Sequence, residues 1–327
     1  PYRVAFVLVP RFSLMAFTAA MEPLRNANLI SDQPLFDWEL LSHTGGMMGS
    51  SSGIELDTVD LRSGRDRDYD MVLVCGGQDV RDFADEPMFN FLRNHERRGK
   101  ALGSVSTGAF VLAKAGLLDD HACTVHWQFT DAFLEEYPQL EHRNEIFVWD
   151  RNRVTVGGGT AAMDMMLDVI RHLYGADLAT NVSEQFVHGR QREGSEQQRS
   201  DLRYRFGVVH PSLISAIEIM EENIEEPLPK SEIAEQIQLS TRQLERLFRH
   251  NLAESPTRFY LKLRLEKARN LLRQSSLPIT EISLACGFDS ASHFAKKYRE
   301  IFGVRPSEDR KPRSLSTAPK DWPAEEA

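Results

Sequence analysis

The stretch GKALGSVSTGAFVLAKAGLLDD, residues 99–120, sets Ser106, Thr107 and Gly108 between an apolar run and an amphipathic one. A sharp turn between a buried strand and a helix is where many enzymes hold up a nucleophile. A cysteine there, with a thiol pKa near about 8.5, is readily lowered to the thiolate by a helix N-terminus, whereas a serine hydroxyl needs an aligned general base. His126 is a candidate base, but Ser104 stands where the G-x-S-x-G elbow of serine hydrolases has glycine. The chemistry left to the turn is binding. Backbone N–H groups around Thr107 and Gly108, at the start of a helix, suit a carboxylate or similar anion, and the hydroxyls of Ser106 and Thr107 add donors. Gly76 and Gly77, which end YDMVLVCGG, would let a ligand approach backbone closely. His126 and Trp127, with Phe12 and Ser13, are candidate walls of the same pocket.

The elements that must position these residues alternate strand and helix. YRVAFVLVP, FDWELLSH, YDMVLVCGG, ALGSVS and RVTVGGG read as strands, and helical patterns such as LMAFTAAMEPLRNANL and TAAMDMMLDVIRHLYG separate them. This predicts an α/β fold, a parallel-sheet sandwich of flavodoxin-like type. Ligands of such sheets sit at the carboxyl ends of the strands, where the candidate residues gather. GMMGSSSGIE (46–55) lacks the Lys-Ser/Thr ending of a phosphate loop and reads as a hairpin turn. Met163, Met165 and Met166 read as packing rather than metal ligands.

Charge divides the chain. Residues 1–200 carry 19 Lys+Arg against 29 Asp+Glu, whereas residues 230–313 carry 17 against 10, so a basic module follows an acidic one. The polar stretch 188–210 reads as a linker between a domain at 1–187 and an all-α domain at 211–310. The Pro-rich tail 311–327 is expected to be disordered. No apolar run is long enough to span a membrane, and PYRVAFVLVPRFS lacks the form of a signal peptide. Three dispersed cysteines without ligand spacing predict no metal site and a reduced, cytoplasmic compartment.

The second half repeats itself. LPKSEIAEQIQLSTRQLERLFRHNLAESP (228–256) matches LPITEISLACGFDSASHFAKKYREIFGVRP (277–306), pairing Leu244 with Phe294, Phe248 with Tyr298 and Pro256 with Pro306. Each copy reads as a short helix, a tight turn and a second helix with a small polar cap: Ser240 or Thr241 in one, Asp289 or Ser290 in the other. The second helices carry Arg242, Gln243, Arg246 and Arg249 in one copy and Ser292, His293, Lys296, Lys297 and Arg299 in the other. Two helix-turn-helix units tied by RFYLKLRLEKARNLL could enter successive major grooves about 34 Å apart on double-stranded DNA.

The runs IAEQIQLSTRQLERLF, RLEKARNLL and ITEISLACGFDSASHFAKKYREIFGVRPSEDR resemble the AraC/XylS transcriptional regulators. One departure is Ala253, where the first repeat more usually has glycine, as Gly303 is in the second. YDMVLVCGG, SVSTGAFVLAKAGLL, TVHW and GGTAAMDMMLDVI resemble the PfpI/ThiJ-like superfamily, of the class-I glutamine amidotransferase-like fold. Together the halves are similar to GlxA-type members of the AraC family, in which the enzyme fold serves as a sensor. The resemblance implies base-edge contacts from Arg242, Gln243 and Arg246, and from Ala291, Ser292 and Lys296. Side-chain chemistry agrees: Arg suits guanine, Gln adenine and Ala a thymine methyl. Arg249, Lys297 and Arg299 suit phosphates.

Catalytic relatives carry cysteine at the position of Ser106 and a carboxylate that falls near Ala16, the nearest acid being Glu22. The resemblance therefore implies a sequence-specific activator without enzymatic activity or cofactor. It would be controlled by a carboxylate-bearing metabolite, an amino acid or a quaternary amine, with Phe12, Phe17, Trp127 and Trp149 as candidates for an amine cage. It further implies a homodimer, promoter DNA and RNA polymerase as partners, and no membrane. The competing reading is a hydrolase or amidotransferase with Ser106 as nucleophile and an accessory DNA-binding module.

Overall fold

The computed structural model describes residues 1–63, 68–78, 80–81, 83–199 and 202–310, with backbone alone at 203 and 204; the expected tail, 311–327, lies outside the described residues. The chain forms two units, residues 1–199 and residues from 200 onward.

In the first unit β1 (Tyr2–Leu8) and α1 (Leu14–Ser31) lead into β2 (Phe36–Ser42), β3 (Gly46–Gly49), β4 (Glu55–Asp60) and β5 (Met71–Cys75). Then come α2 (Glu86–Glu96), β6 (Ala101–Val105), the 3-10 turn Ser106–Gly108 and α3 (Ala109–Lys114). β7 (Ala122–Cys123), the 3-10 turn Trp127–Phe129, α4 (Thr130–Glu136) and β8 (Glu141–His142) follow. β9 (Phe147–Asp150), β10 (Arg153–Val156), α5 (Ala161–Tyr174) and α6 (Ala176–Gln185) close the unit. The main sheet runs β3-β4-β2-β1-β5-β6-β10-β9. Its pairings are parallel from β4 to β10, while β3 and β9 join antiparallel at the edges. The glycine-rich stretch at 46–55 supplies β3 and the turn into β4, as a hairpin.

The continuous apolar runs follow from burial on both faces. Along β1, Val4, Phe6 and Leu8 pack with α1, α5 and α6, and Ala5, Val7 and Val9 pack with α2 and α3 on the other side. Met165 and Met166 are fully buried in the first of these cores, and Met163 packs against it.

The second unit contains α7 (Leu202–Phe206), α8 (Pro211–Glu222), α9 (Lys230–Gln236), α10 (Thr241–Leu252) and α11 (Pro256–Gln274). α12 (Ile279–Ala285), α13 (Ala291–Phe302) and α14 (Pro306–Asp309) complete it. α9–α10 and α12–α13 are the two helix-turn-helix repeats, each with its own core. α11 serves both: Phe259, Tyr260 and Leu263 face the first core, Leu265, Ala268, Leu271 and Leu272 the second. Ser240 and Ser290 cap the second helices, each accepting the backbone N–H three residues on.

The stretch 188–210, expected as a linker, divides between the units. Residues 188–199 hydrogen-bond to the first unit, whereas Leu202 and Val208 are buried in the core of the second. Among the described residues no helix is long and apolar enough to cross a membrane.

Candidate ligand site and nucleic-acid interface

β6 ends in an elbow. Val105 is extended, and Ser106 then turns to φ +61°, a left-handed conformation that costs a residue with a Cβ about 1–2 kcal/mol. Such strain persists only where the surroundings enforce it. Here the enforcement is close backbone packing. A Cβ on Gly76 would lie 2.1 Å from the Gly108 nitrogen, and one on Gly77 1.9 Å from the Arg11 carbonyl oxygen. One on Gly108 would lie 2.2 Å from the Val74 oxygen. These three glycines thus let strands and elbow meet, and protein backbone fills the space that the sequence left for a ligand. Thr107 is buried, and its hydroxyl donates to the Gly77 carbonyl at 2.7 Å, so it has no proton to offer outward.

Ser106 differs. Its Oγ has no hydrogen-bond partner among the described residues, and it faces Gly158, where a Cβ would lie 2.9 Å from the Ser106 Cβ. Among the described residues no hydrogen bond joins His126 to Ser106. The His126 Nδ1 accepts the Gln128 N–H at 3.3 Å, and burial pulls the imidazole pKa down. Ala16, where catalytic relatives would place a carboxylate, is buried in the core, and Glu22 pairs with Arg25 at 2.7 Å.

The expected walls separate. Phe12 is fully buried, edge-on to Phe17 at 5.8 Å, so neither ring is available for a cage. Ser13 caps α1 through the Ala16 N–H at 3.4 Å and donates its own N–H to the Gly76 carbonyl at 3.0 Å. Trp149 packs, half-buried, against the core below α1 and α5. His126 and Trp127 do stand together, stacked at 5.7 Å and half-buried. The Arg199 guanidinium lies 4.8 Å from the Trp127 ring centroid, the position a cationic ligand would take.

Sequence reasoning missed a strap made by residues 188–199. Asp164, fully buried on α5, accepts from His188 Nε2 at 2.8 Å and from Arg192 N, Nε and Nη2 at 2.9, 2.9 and 2.6 Å. An acid flanked by methionines on an apolar helix face, with HGRQR downstream, was the available signal. The strap continues along the start of β9, where Ile146 N donates to Glu196 O at 2.8 Å, and ends at Gln198. Gln198 accepts the Trp127 N–H at 2.9 Å and offers its amide to Thr124 Oγ1, Val125 O and Glu145 O at 2.8, 2.8 and 2.9 Å. Nothing in the sequence marked that residue.

The two recognition helices are built alike. Leu244 and Phe248 on α10, and Phe294 and Tyr298 on α13, are buried, which turns the intervening positions outward. Arg242, Gln243, Arg246 and Arg249 are exposed on α10, and Ala291, Ser292, Lys296 and Arg299 on α13. Lys297 is half-buried and pairs with Glu300 at 2.8 Å.

Comparison with known proteins agrees with this geometry. Residues 2–172 match the DJ-1/PfpI family, and residues 233–312 match a helix-turn-helix domain. The HTH-type transcriptional regulator CdhR of Pseudomonas aeruginosa is 44% identical over 309 residues, covering 93% of this chain and 90% of that protein. The regulator GlxA of Rhizobium meliloti is 40% identical over 93% of this chain and 94% of its own length. A crystal structure of an AraC family transcriptional regulator from Pseudomonas putida superposes with a TM-score of 0.51 at 34% identity, covering 57% of this chain and all of that one. The chain belongs to the AraC family of transcriptional regulators with an N-terminal DJ-1/PfpI domain.

In this regulator one expected base reader is already engaged. Gln243 closes a capping box, its Oε1 accepting from Ser240 N and Oγ at 2.8 Å each. A bidentate grip on adenine needs that oxygen, so Gln243 must open the box to read a base. The guanidinium of Arg264 holds the second repeat's turn, donating to the Cys286 carbonyl at 2.8 Å and to that of Gly287, and lies 4.3 Å from the Phe288 ring centroid.

Proposed function

We propose that this regulator senses a small metabolite beside Ser106 and does not process it. The observation that carries this reading is the elbow itself: a strained serine whose hydroxyl has neither a hydrogen-bond partner nor a hydrogen-bonded base among the described residues. A serine so placed can donate a hydrogen bond, and a nucleophilic serine needs an aligned base to take its proton. A carboxylate-bearing effector, an amino acid or a quaternary amine, suits the neutral hydroxyl donor of Ser106. The two recognition helices then read promoter DNA, with Arg242, Gln243, Arg246, Ala291, Ser292 and Lys296 on base edges, and Arg249, Lys297 and Arg299 on phosphates. Resemblance to AraC-type regulators supports a homodimeric, cytoplasmic activator that engages RNA polymerase.

The test is a thermal-shift screen of the full chain against amino acids, betaines and related amines. A ligand at 100 times its dissociation constant stabilises its unit by about 2.7 kcal/mol, several degrees in melting temperature. Ser106→Asn fills the elbow with a residue that tolerates the left-handed conformation, and it should abolish the shift. Turnover of any hit that Ser106→Ala eliminates would establish the hydrolase reading instead.

A further inference from the structure

Two consecutive glycines join the elbow to the strap. Gly158 abuts Ser106, and at Gly157 a Cβ would stand 2.4 Å from Cδ of Gln198. The polypeptide step that forms one side of the ligand site is therefore also the floor on which Gln198 rests. Gln198 has four polar partners: the Trp127 N–H, Thr124 Oγ1 and the Val125 and Glu145 carbonyls. It is half-buried, and the next residue, Arg199, lies over the Trp127 ring. Residue 199 is also the last of the first unit. Upstream, the strap is fixed by the Asp164 ion pairs and by the Glu145–Gln197 bridge, with Asn144 Nδ2 donating to Gln197 Oε1 at 2.9 Å. Its two ends therefore differ in kind. The Asp164 end is a buried charge cluster, whereas Gln198 is a neutral amide held by hydrogen bonds, with the Arg199 guanidinium beside it over Trp127.

We propose that Gln198 is the latch through which the Ser106 site controls the DNA-binding unit. Latched, it fixes the end of the strap and with it the point where the chain leaves the first unit. A ligand that moves Gly158 moves Gly157 against the Gln198 amide. The latch is the weaker anchor, so it opens while the Asp164 clamp keeps the rest of the strap in place. A neutral amide suits a latch, because in Gln198→Glu the carboxylate would lose both amide donors and face the Val125 and Glu145 carbonyl oxygens. The assignment rests on the sensor reading above, but its test needs no ligand.

Three full-length variants are compared with wild type without any added metabolite. Gln198→Ala removes the four contacts. Gln198→Glu keeps an acceptor for the Trp127 N–H but removes the donor to Thr124 Oγ1 and the Val125 and Glu145 carbonyls. Gly157→Ala leaves Gln198 intact and evicts it by sterics alone. Hydrogen exchange at residues 193–199 reports the strap, and operator-DNA titration at fixed salt reports the output. We expect faster exchange in that segment for all three, unchanged exchange at 188–192, and a common shift in DNA affinity of about fivefold or more, the lower range of coupling between sites. Strap release with wild-type DNA affinity would overturn the proposal. So would unchanged exchange in Gln198→Ala. A chain that shifts with nothing in the thermal-shift panel yet responds to these variants would count against the sensor reading and leave Gln198 as a control point of the DNA-binding unit without its link to Ser106.

Discussion

The two helix-turn-helix repeats share a plan and differ in what holds it. Pro256 and Pro306 open equivalent helices, and three residues later the first repeat has Phe259 where the second has Asp309. Phe259 packs edge-on against Phe248 at 5.4 Å. Asp309 instead accepts a hydrogen bond from Tyr298, the counterpart of Phe248, at 2.8 Å, and ion pairs from Arg269 at 2.8 Å and Arg273 at 2.7 Å. One repeat closes with an aromatic pair, the other with a buried carboxylate. The same helix-turn-helix plan is thus held by two energy terms with different sensitivities. Aromatic packing is indifferent to proton and salt, whereas the carboxylate cluster depends on its charge.

The largest expected effect tests that difference. Asp309→Ala leaves Arg269, Arg273 and Tyr298 without their shared acceptor. Losing one member of a buried pair costs about 3–5 kcal/mol, and the part-exposed arginines set the value near about 3. Hydrogen-exchange protection in α13 should fall roughly 100-fold while α10 stays within a few-fold. Equal loss in both helices would show that the repeats unfold as one, and the comparison would fail. Tyr298→Phe with Asp309→Phe imports the first repeat's chemistry and should recover most of the loss, since both arginines can turn to water. Burial raises the Asp309 pKa, but its hydrogen bonds with Arg273 and Tyr298 and the nearby arginines outweigh this, leaving it below the ordinary value. Its contribution is therefore present above the unfolded carboxylate value and lost as pH falls through the lower folded one. Acid should loosen α13 through this group, and Asp309→Ala should remove that part of the pH dependence.

The next effect concerns how the repeats read DNA. Arg246 and Lys296 occupy the same exposed place on α10 and α13, but only a guanidinium can grip guanine bidentately. Arg246→Ala should cost about 2 kcal/mol and relax preference at one base pair, measured with single-base operator variants at constant salt. Lys296→Ala should cost less and broaden preference less. If Arg246→Ala weakens every sequence equally, Arg246 is a phosphate contact and the asymmetry between the helices disappears. Arg249→Ala, at a proposed phosphate contact, should lower the salt slope by about one unit without altering preference.

How much of this was legible depended on how far apart the interacting residues lie. The repeats announced themselves because their signals are local: a serine cap, then apolar residues at positions such as 244 and 248, then proline. The elbow was legible for the same reason, as a strand, a turn and a helix in unbroken order. The strap was not. Gln198 finds its partners 53 to 74 residues away, within a polar stretch that resembles any linker. The glycines were legible in type and misleading in role. Gly76 and Gly77 look like room for a ligand until the fold brings Gly108 and Arg11 against them. Phe12 fails likewise, since an aromatic after a strand fits a pocket wall and a core equally well, and only packing on Phe17 decides.

The smallest effect lies in the turns, where the repeats differ in backbone strain. The second repeat places glycine at both left-handed positions, Gly287 at φ +71° and Gly303 at φ +74°. The first places Gln238 at φ +57° and Ala253 at φ +55°. A left-handed residue with a Cβ costs about 1–2 kcal/mol, but glycine returns about 0.4–1 of that through the greater freedom of the unfolded chain. Ala253→Gly should therefore stabilise the first repeat by only about 0.5–1 kcal/mol. Gly303→Ala should destabilise the second by a similar amount, because no atom lies within 4 Å of the added Cβ and conformation alone is at stake. Gly287→Ala must cost more, since its Cβ would stand 2.5 Å from Pro227 Cγ and 2.7 Å from the Ile224 carbonyl oxygen. Exchange protection of α10 and α13 in these three variants separates strain from crowding. A neutral Ala253→Gly would mean that the first turn relaxes around alanine, leaving the carboxylate–aromatic exchange as the whole of the difference between the repeats.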